Sequence, residues 1–367
     1  MTNERNLIMS FASNEDVATG YEKFVEYYNA FKSNKGSVGV GDNEISMEDA
    51  HKKMNAFFSS EIERVARREM KDYKSNLMQY FSFTDVREAA FAVVSILTDL
   101  IVPNAILKDV APIAEFTNVG WGDTAKVLVK PRDIFVPSKI GHGRRMGVIH
   151  QQFAGEVTIP TYLREVTVGV PFYDVLLGRY TLAEYMMKAA TGLEAQIRYD
   201  VWDAFETAVG ALDSSGTAKL VYTGYTQDDF VNLAETIGAW NQSRAVVLGT
   251  KTACSKVLPA STNYRIDLDT SSYIKNGSLR DFMGTEVIQM EQIADYRTEF
   301  SVKLDNTKLY FVSPAQQKII HVAMEGNTLG TVKDNKEAAN LIATGTMMKS
   351  WGVAAATAAL AGVITIS

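Results

Sequence analysis

The longest run of regularly spaced apolar positions lies between Tyr180 and Gly210. Leu182, Met186, Ala189, Leu193, Ile197, Val201, Phe205 and Ala208 recur at steps of three and four, which makes one continuous stripe on a helix. Thr181 and Glu184 stand in the relation of a capping box, and Gly210 suits the stop. No proline interrupts the run. The spacing predicts a helix over 181–209, roughly 40 Å long at 1.5 Å per residue, with a sheet lying along it. Glu194 and Arg198 form an i,i+4 pair on the side away from the stripe.

Before this helix, the pattern is helical and then extended. Residues 1 to about 80 read as helical and surface-exposed. Asn14-Glu15-Asp16 opens a helix with Tyr21, Phe24, Val25, Tyr28 and Phe31 at helical spacing, and Ser33 to Gly41 reads as a flexible joint. Ser46 with Asp49 caps a second helix carrying Met54, Phe57, Phe58, Ile62 and Val65. Its charged face, Glu61, Glu63, Arg64, Arg67, Arg68 and Glu69, reads as solvated. Thr84-Asp85 caps a helix to about Leu97, and Gly120 to Asp123 makes a turn. Strands are predicted at 126–129, 156–159 and 165–168. The first two are arms of a hairpin whose connection contains VKPRDIFVPSKIGHGRRMG. Lys126, Lys130, Arg132, Lys139, Arg144 and Arg145 stand there against a single acid, Asp133. A loop that long and polar belongs against something other than its own domain.

After the long helix, strands and helices alternate as in a compact α/β unit. Thr226 caps a helix through Phe230, Leu233 and Ile237; 245–248 reads as a strand and 252–258 as a helix. Residues 259–277 read as loop and 282–288 as turn plus strand. Residues 309–312 and 319–322 read as a strand pair joined by Ser313-Pro314. Thr346 to Val353 and Val363 to Ile366 are apolar enough to return to the core beside the long helix. Ser350 to Ser367 carries no charge over 18 residues, but its Ala, Gly and Thr content and β-branched end favour a buried strand region over a membrane anchor.

Composition narrows the chemistry. With 367 residues, 46% hydrophobic and 22% charged, the chain reads as globular and as about two domains. A net charge of −6 argues against wrapping nucleic acid over most of the surface. Cys254 is the sole cysteine, so there is no disulfide framework and no thiolate metal site, and a reducing compartment fits. The opening MTNERNLIMSFASNED lacks the apolar core of a signal peptide. Dinucleotide, phosphate-loop, metalloprotease and nucleophile-elbow spacings are all missing. His51, His142, His150 and His321 share no ligand spacing, and Cys254 reads as a packed thiol behind a buried strand. Asp200, Asp203 and Glu206 at i, i+3, i+6 could bind a divalent ion, but read rather as a solvated face. No catalytic, cofactor-binding or metal residue is assigned.

The order of these elements resembles the major capsid proteins of tailed bacteriophages, the Hong Kong 97 fold. A helical arm comes first, then a long basic two-stranded loop, a beam helix, an α/β domain and a return to the beam's sheet. The resemblance covers roughly residues 85–367, and RAVVLGTKTACSKVL and SLRDFMGTEVIQMEQI resemble the family's strand–helix and Gly-containing strand segments. It implies an α+β fold with an N-terminal helical arm or extension (1–84), a connection to the peripheral domain (85–125) and an extended hairpin, the E-loop (126–156). The peripheral domain follows (157–221, spine helix 181–209), then the axial α/β domain (222–330) and a return to the peripheral domain (331–367).

The resemblance does not extend to the arm, which is an N-arm extension or an uncleaved scaffolding-like segment. The role implied is structural: hexameric and pentameric capsomers of the chain tile an icosahedral head around double-stranded DNA, touching it weakly and without sequence preference. Scaffolding, portal and decoration proteins are implied partners, no membrane is, and the place is the virion, assembled in the host cytoplasm. An encapsulin-like compartment shell of the same fold is the alternative. Lys126, Lys130, Arg132, Lys139, Arg144 and Arg145 are the expected inter-subunit contacts. They would face the seven acids between Asp200 and Trp240 on a neighbour, unless both surfaces are merely solvated. Isopeptide cross-linking in some relatives needs a Lys, an Asn and a catalytic Glu from different subunits; Lys130 and Lys139 lie in the loop, but no pattern identifies the partners.

Overall fold

The computed structural model describes residues 15–32, 36–39, 44–67, 85–86, 88–90, 92–93, 95–96, 99, 110, 113–129, 154–171, 182–210, 220–258, 277–295, 301–313, 318–333, 342–356 and 359–366. Two helices come first, α1 (Glu15–Lys32) and α2 (Met47–Ala66). Between them β1 (Ser37–Val38) and β2 (Ile45–Ser46) pair antiparallel. Ser46 caps α2 by accepting from the Asp49 N–H at 3.1 Å, and Arg67 closes it in the left-handed region at φ 53°.

The expected surface exposure of this arm is not observed. Tyr21, Phe24, Tyr27 and Tyr28 are buried with Met54, Phe58 and Ile62, and Val86, Ala89, Ala90 and Val93 join them. An aromatic stripe reads the same in sequence whether it meets a partner helix or not. Here two such stripes meet edge-on, Tyr21 on Phe57 at 5.5 Å and Phe24 on Phe58 at 5.2 Å between ring centroids. The charged face of α2 is also less solvated than expected. Glu61 is buried, held by Arg64 at 2.7 Å and by the Tyr21 hydroxyl at 3.4 Å. Burial, then the neighbouring Glu61 charge, push the Tyr21 hydroxyl up to about 12.

The extended region begins with β3 (Ala114–Val119), which turns at Trp121–Gly122 into β4 (Ala125–Val129). Strand β5 (Gly155–Ile159) pairs antiparallel with β4, from Ala125↔Ile159 to Val129↔Gly155. Two residues, Pro160 and Thr161, then lead into β6 (Tyr162–Pro171). The long helix α3 (Leu182–Gly210) has 29 residues and matches the predicted span within one residue at each end. Ala189, Leu193, Ile197, Val201 and Phe205 are buried as the stripe requires. The Glu194–Arg198 pair forms at 2.7 Å, yet it is buried rather than solvated. That side of α3 is covered by α1, whose Tyr28 hydroxyl donates to Glu194 at 2.6 Å.

The α/β unit follows with β7 (Val221–Thr223), α4 (Gln227–Asn241), β8 (Val246–Thr250) and a short α5 (Lys251–Cys254). Thr226 caps α4 as expected. Helix α5 is shorter than the predicted 252–258 because Thr250 caps it and Ser255–Lys256 already turn. The tight hairpin of β9 (Asp281–Phe282) and β10 (Thr285–Met290) turns on Met283 and Gly284, both at positive φ. Then come the small pair β11 (Ala294–Asp295) and β12 (Ser301–Val302), and β13 (Lys308–Val312). The chain closes with β14 (Ile320–Lys333), β15 (Ile342–Ala355) and β16 (Gly362–Thr365).

Two main sheets result, one of six strands in the order β7-β16-β13-β8-β10-β9 and one of four in the order β3-β14-β15-β6. The expected pairing of 309–312 with 319–322 does not occur. Strand β13 lies between β8 and β16, while β14 lies between β3 and β15. The continuous apolar run Leu309 to Val312 suits a strand covered on both faces. Leu309 and Phe311 face α4 and α5 with Val247 and Ile364, whereas Tyr310 and Val312 face α3 with Val246, Leu248 and Val363. Helix α3 also packs on Val322, Met324 and Trp351 of the four-stranded sheet. One helix therefore serves both sheets. Residues 331–367 divide between them, β15 in the four-stranded sheet and β16 in the six-stranded one.

Candidate functional site

The hairpin has little apolar support among the described residues. Strands β4 and β5 form a separate two-stranded sheet. Period-2 alternation turns Ala125, Val127 and Ile159 inward onto Ala323 and Ala354, and turns Lys126 and Leu128 outward, Leu128 at 55% exposure. Lys126 pairs with Glu156 of the opposite strand at 2.6 Å, and that hydrogen bond holds its ammonium above the usual lysine range. Lys130, Arg132, Lys139, Arg144 and Arg145 lie outside the described residues, as do His142 and His150.

The hairpin's root is closely fitted. The two strands enter from β3 and β6, which are the opposite edges of the four-stranded sheet. At one side Pro160 crosses directly over Gly352, where a Cβ would fall 2.1 Å from the Pro160 carbonyl oxygen. Beside it, the Glu325 carboxylate accepts from the Gly122 N–H at 2.8 Å, the Thr161 hydroxyl at 2.8 Å and the Ser350 hydroxyl at 2.7 Å. Those hydrogen bonds, Ser350 first, hold Glu325 below the usual carboxylate range. Next to it Gly326, at φ 56°, makes room for the Trp121 ring, which would lie 2.2 Å from a Cβ there. On the other side of the strand, Asp99 meets Lys349 at 2.6 Å and accepts from the Thr328 N–H and hydroxyl at 2.8 and 2.6 Å. Spacing could not reveal a buried pair 250 residues apart. The acid Glu325 in the otherwise apolar stretch IIHVAMEG was the available sequence signal for the root, and it was missed.

Of the acids on α3, Asp203 is exposed as a solvated face requires, whereas Asp200 and Glu206 are half-buried. Asp200 accepts from Trp351 Nε1 at 2.9 Å and pairs with Arg164 at 2.8 Å. Asp203 and Glu206 take Lys303 at 3.0 and 3.5 Å. Burial lowers Lys303, but the Asp203 hydrogen bond and the Glu206 charge outweigh it and hold the ammonium above its ordinary value. Three of the seven acids between Asp200 and Trp240 are thus met within the chain, and a fourth, Asp229, accepts from the capping Thr226. Asp228 and Glu235 stay exposed.

Catalytic residue types are placed structurally. His51 hydrogen-bonds the Tyr27 hydroxyl at 2.5 Å, and His321 is buried with Nε2 3.0 Å from the Ala356 carbonyl. Burial pushes the Cys254 thiol up to about 12. A cavity of about 220 Å³ between α3 and β10 is lined by Arg198, Trp202, Leu248, Ile288, Gln289 and Glu291 among others, with no Ser, Cys or His among the described residues. Among the described residues no group of His, Cys, Asp and Glu could hold a metal ion, and no helix is long and apolar enough to cross a membrane.

No family model and no curated protein matches the chain. Several solved structures do. The mature capsid of bacteriophage PhiM1 aligns with 9% identity over 70% of this chain and 86% of its own, at a TM-score of 0.46. The capsid of the native GTA particle aligns with 14% identity over 71% and 90%, at 0.48. The capsid of the cyanophage P-SCSP1u aligns with 10% identity over 71% and 88%, at 0.47. The chain has an α+β fold, with helices and several sheets.

Proposed function

We propose that the chain is the major capsid protein of a tailed bacteriophage, a structural subunit whose copies close into an icosahedral shell around packaged double-stranded DNA. The observation that carries this reading is the β4–β5 hairpin, a separate two-stranded ribbon that packs on the sheet through little more than Ala125, Val127 and Ile159 among the described residues. Two strands alone are marginal in water, and this ribbon presents Leu128 to solvent while leading into the basic segment 130–153. A ribbon of that kind is stabilised by lying on another subunit. The helix shared by two sheets supports the same reading, because it gives each copy a stiff body from which the hairpin projects.

In this reading hexameric and pentameric capsomers form first, with scaffolding, portal and decoration proteins as further partners, in the cytoplasm of the host. Lys126, Lys130, Arg132, Lys139, Arg144 and Arg145 lie across a neighbouring copy, and Asp228 and Glu235 are among the exposed acids that could receive them. The net charge of −6 suits an inner wall that touches DNA weakly. Sedimentation velocity of the purified chain, with and without a scaffold, tests the reading. Discrete capsomers or shells support it, and a monomer under every condition contradicts it.

A further inference from the structure

The root of the hairpin is closed by one side chain. Its two strands depart from opposite edges of the four-stranded sheet, β3 on one side and β6 on the other, with β14 and β15 between them. The first connection contains Gly122 and the second Thr161, and both donate to the same Glu325 carboxylate, on Oε1 and Oε2 respectively. Ser350, directly opposite Glu325 in the β14–β15 pairing, donates to Oε2 and fixes the side chain from the sheet. The register of the β14–β15 pairing shifts between Glu325 and Leu329, just beyond this side chain.

From this geometry we propose that Glu325 is a positioning residue: it ties both roots of the β4–β5 hairpin to the sheet and so sets the direction in which the hairpin projects. The apolar contact beneath the ribbon is small, with Ala125, Ile159 and Ala323 as its buried members. Apolar packing that slight is non-directional and permits pivoting. Hydrogen bonds from both connections to one carboxylate, itself held by Ser350 of β15, do not, because a change of angle must break at least one of them. The inference deepens the capsid reading, since the direction of the hairpin decides which part of a neighbouring copy it meets. The tie itself is a property of the single subunit.

The reach of the side chain, more than its charge, is what the geometry requires. A glutamine in its place keeps a carbonyl for the Gly122 N–H and turns an NH₂ toward the two hydroxyls, which can accept as well as donate. Alanine leaves all three donors without this acceptor.

Spin labels at Leu128→Cys on the ribbon and Lys188→Cys on α3, both exposed, report the angle as a distance distribution. Cys254 is fully buried and its thiol is held protonated, so the native cysteine stays unlabelled. Labelled full-length chain is diluted with unlabelled chain so that only distances within one subunit are read. Glu325→Ala should shift the distribution or broaden it about twofold with the circular dichroism of the fold retained, and Glu325→Gln should restore the parent width. An Ala variant with the parent's mean distance and width, or a Gln variant as displaced or as broad as Ala, overturns the proposal. Both readouts are independent of whether shells form. Failure of the capsid reading would appear instead as monomer in sedimentation with the distance result unchanged.

Discussion

Individual side chains in this protein do two kinds of work, filling space along α3 and satisfying buried charge. Leu193 and Ile197 are at 2% and 0% exposure, so Leu193→Ala or Ile197→Ala should cost about 2–5 kcal/mol each in chemical denaturation. Substituting the exposed Lys188 should cost under ~0.5 kcal/mol. Equal effects at the three positions would mean the buried face of α3 is misassigned. Asp99 and Lys349 make the complementary case. Asp99→Ala should cost about 3–5 kcal/mol by leaving the ammonium buried with its closest charge partner gone, and Asp99→Leu with Lys349→Met should recover part of that loss. Urea melts of the parent and the two variants check this, and a double variant no better than the single one would contradict it. The spacing of Leu193 and Ile197 was legible because burial on one face leaves a period. The inward turn of Glu61 and Glu194 was not, because a carboxylate satisfied by Tyr21 or Tyr28 carries the same letter as one in water.

Elements were legible where local chemistry decides them and misread where distant contacts do. Ser46 and Thr226 cap their helices because a side-chain oxygen three residues before an N–H is a local matter. The partners of β13 and β14 are not local. Closeness in sequence suggested a hairpin, whereas each strand is claimed by neighbours from its own sheet. Likewise the arm's aromatic stripes were visible but not their burial, which needs α1, α2 and α3 together. At the hairpin root the close approach of Pro160 to Gly352 makes a sharp expectation. Gly352→Ala places a methyl group against backbone, which cannot rotate away, so β5 and β6 must separate from β15. Amide hydrogen exchange should then speed up across 155–165 while 246–250 is unchanged. Exchange identical to the parent across 155–165 would show that the root tolerates the displacement.

At the scale of the whole molecule, α3 binds the four-stranded sheet, the six-stranded sheet and the α1–α2 layer into one body, which makes the arm part of the folded subunit. Among the described residues, the β4–β5 hairpin forms a sheet of its own on that body. If its basic segment meets acids of a neighbour, Arg144→Glu with Arg145→Glu should leave the melting of the unassembled chain unchanged. The same reversal should slow light-scattering assembly, more at low salt than at high. Assembly like the parent at both salts would assign the loop's role to shape alone. The central claim, that this chain builds shells, is tested most directly by electron microscopy of the purified protein under assembling conditions, with a scaffold where one is needed. The account predicts closed particles of icosahedral symmetry, or capsomers of five and six copies. Uniform monomers in every condition would contradict it.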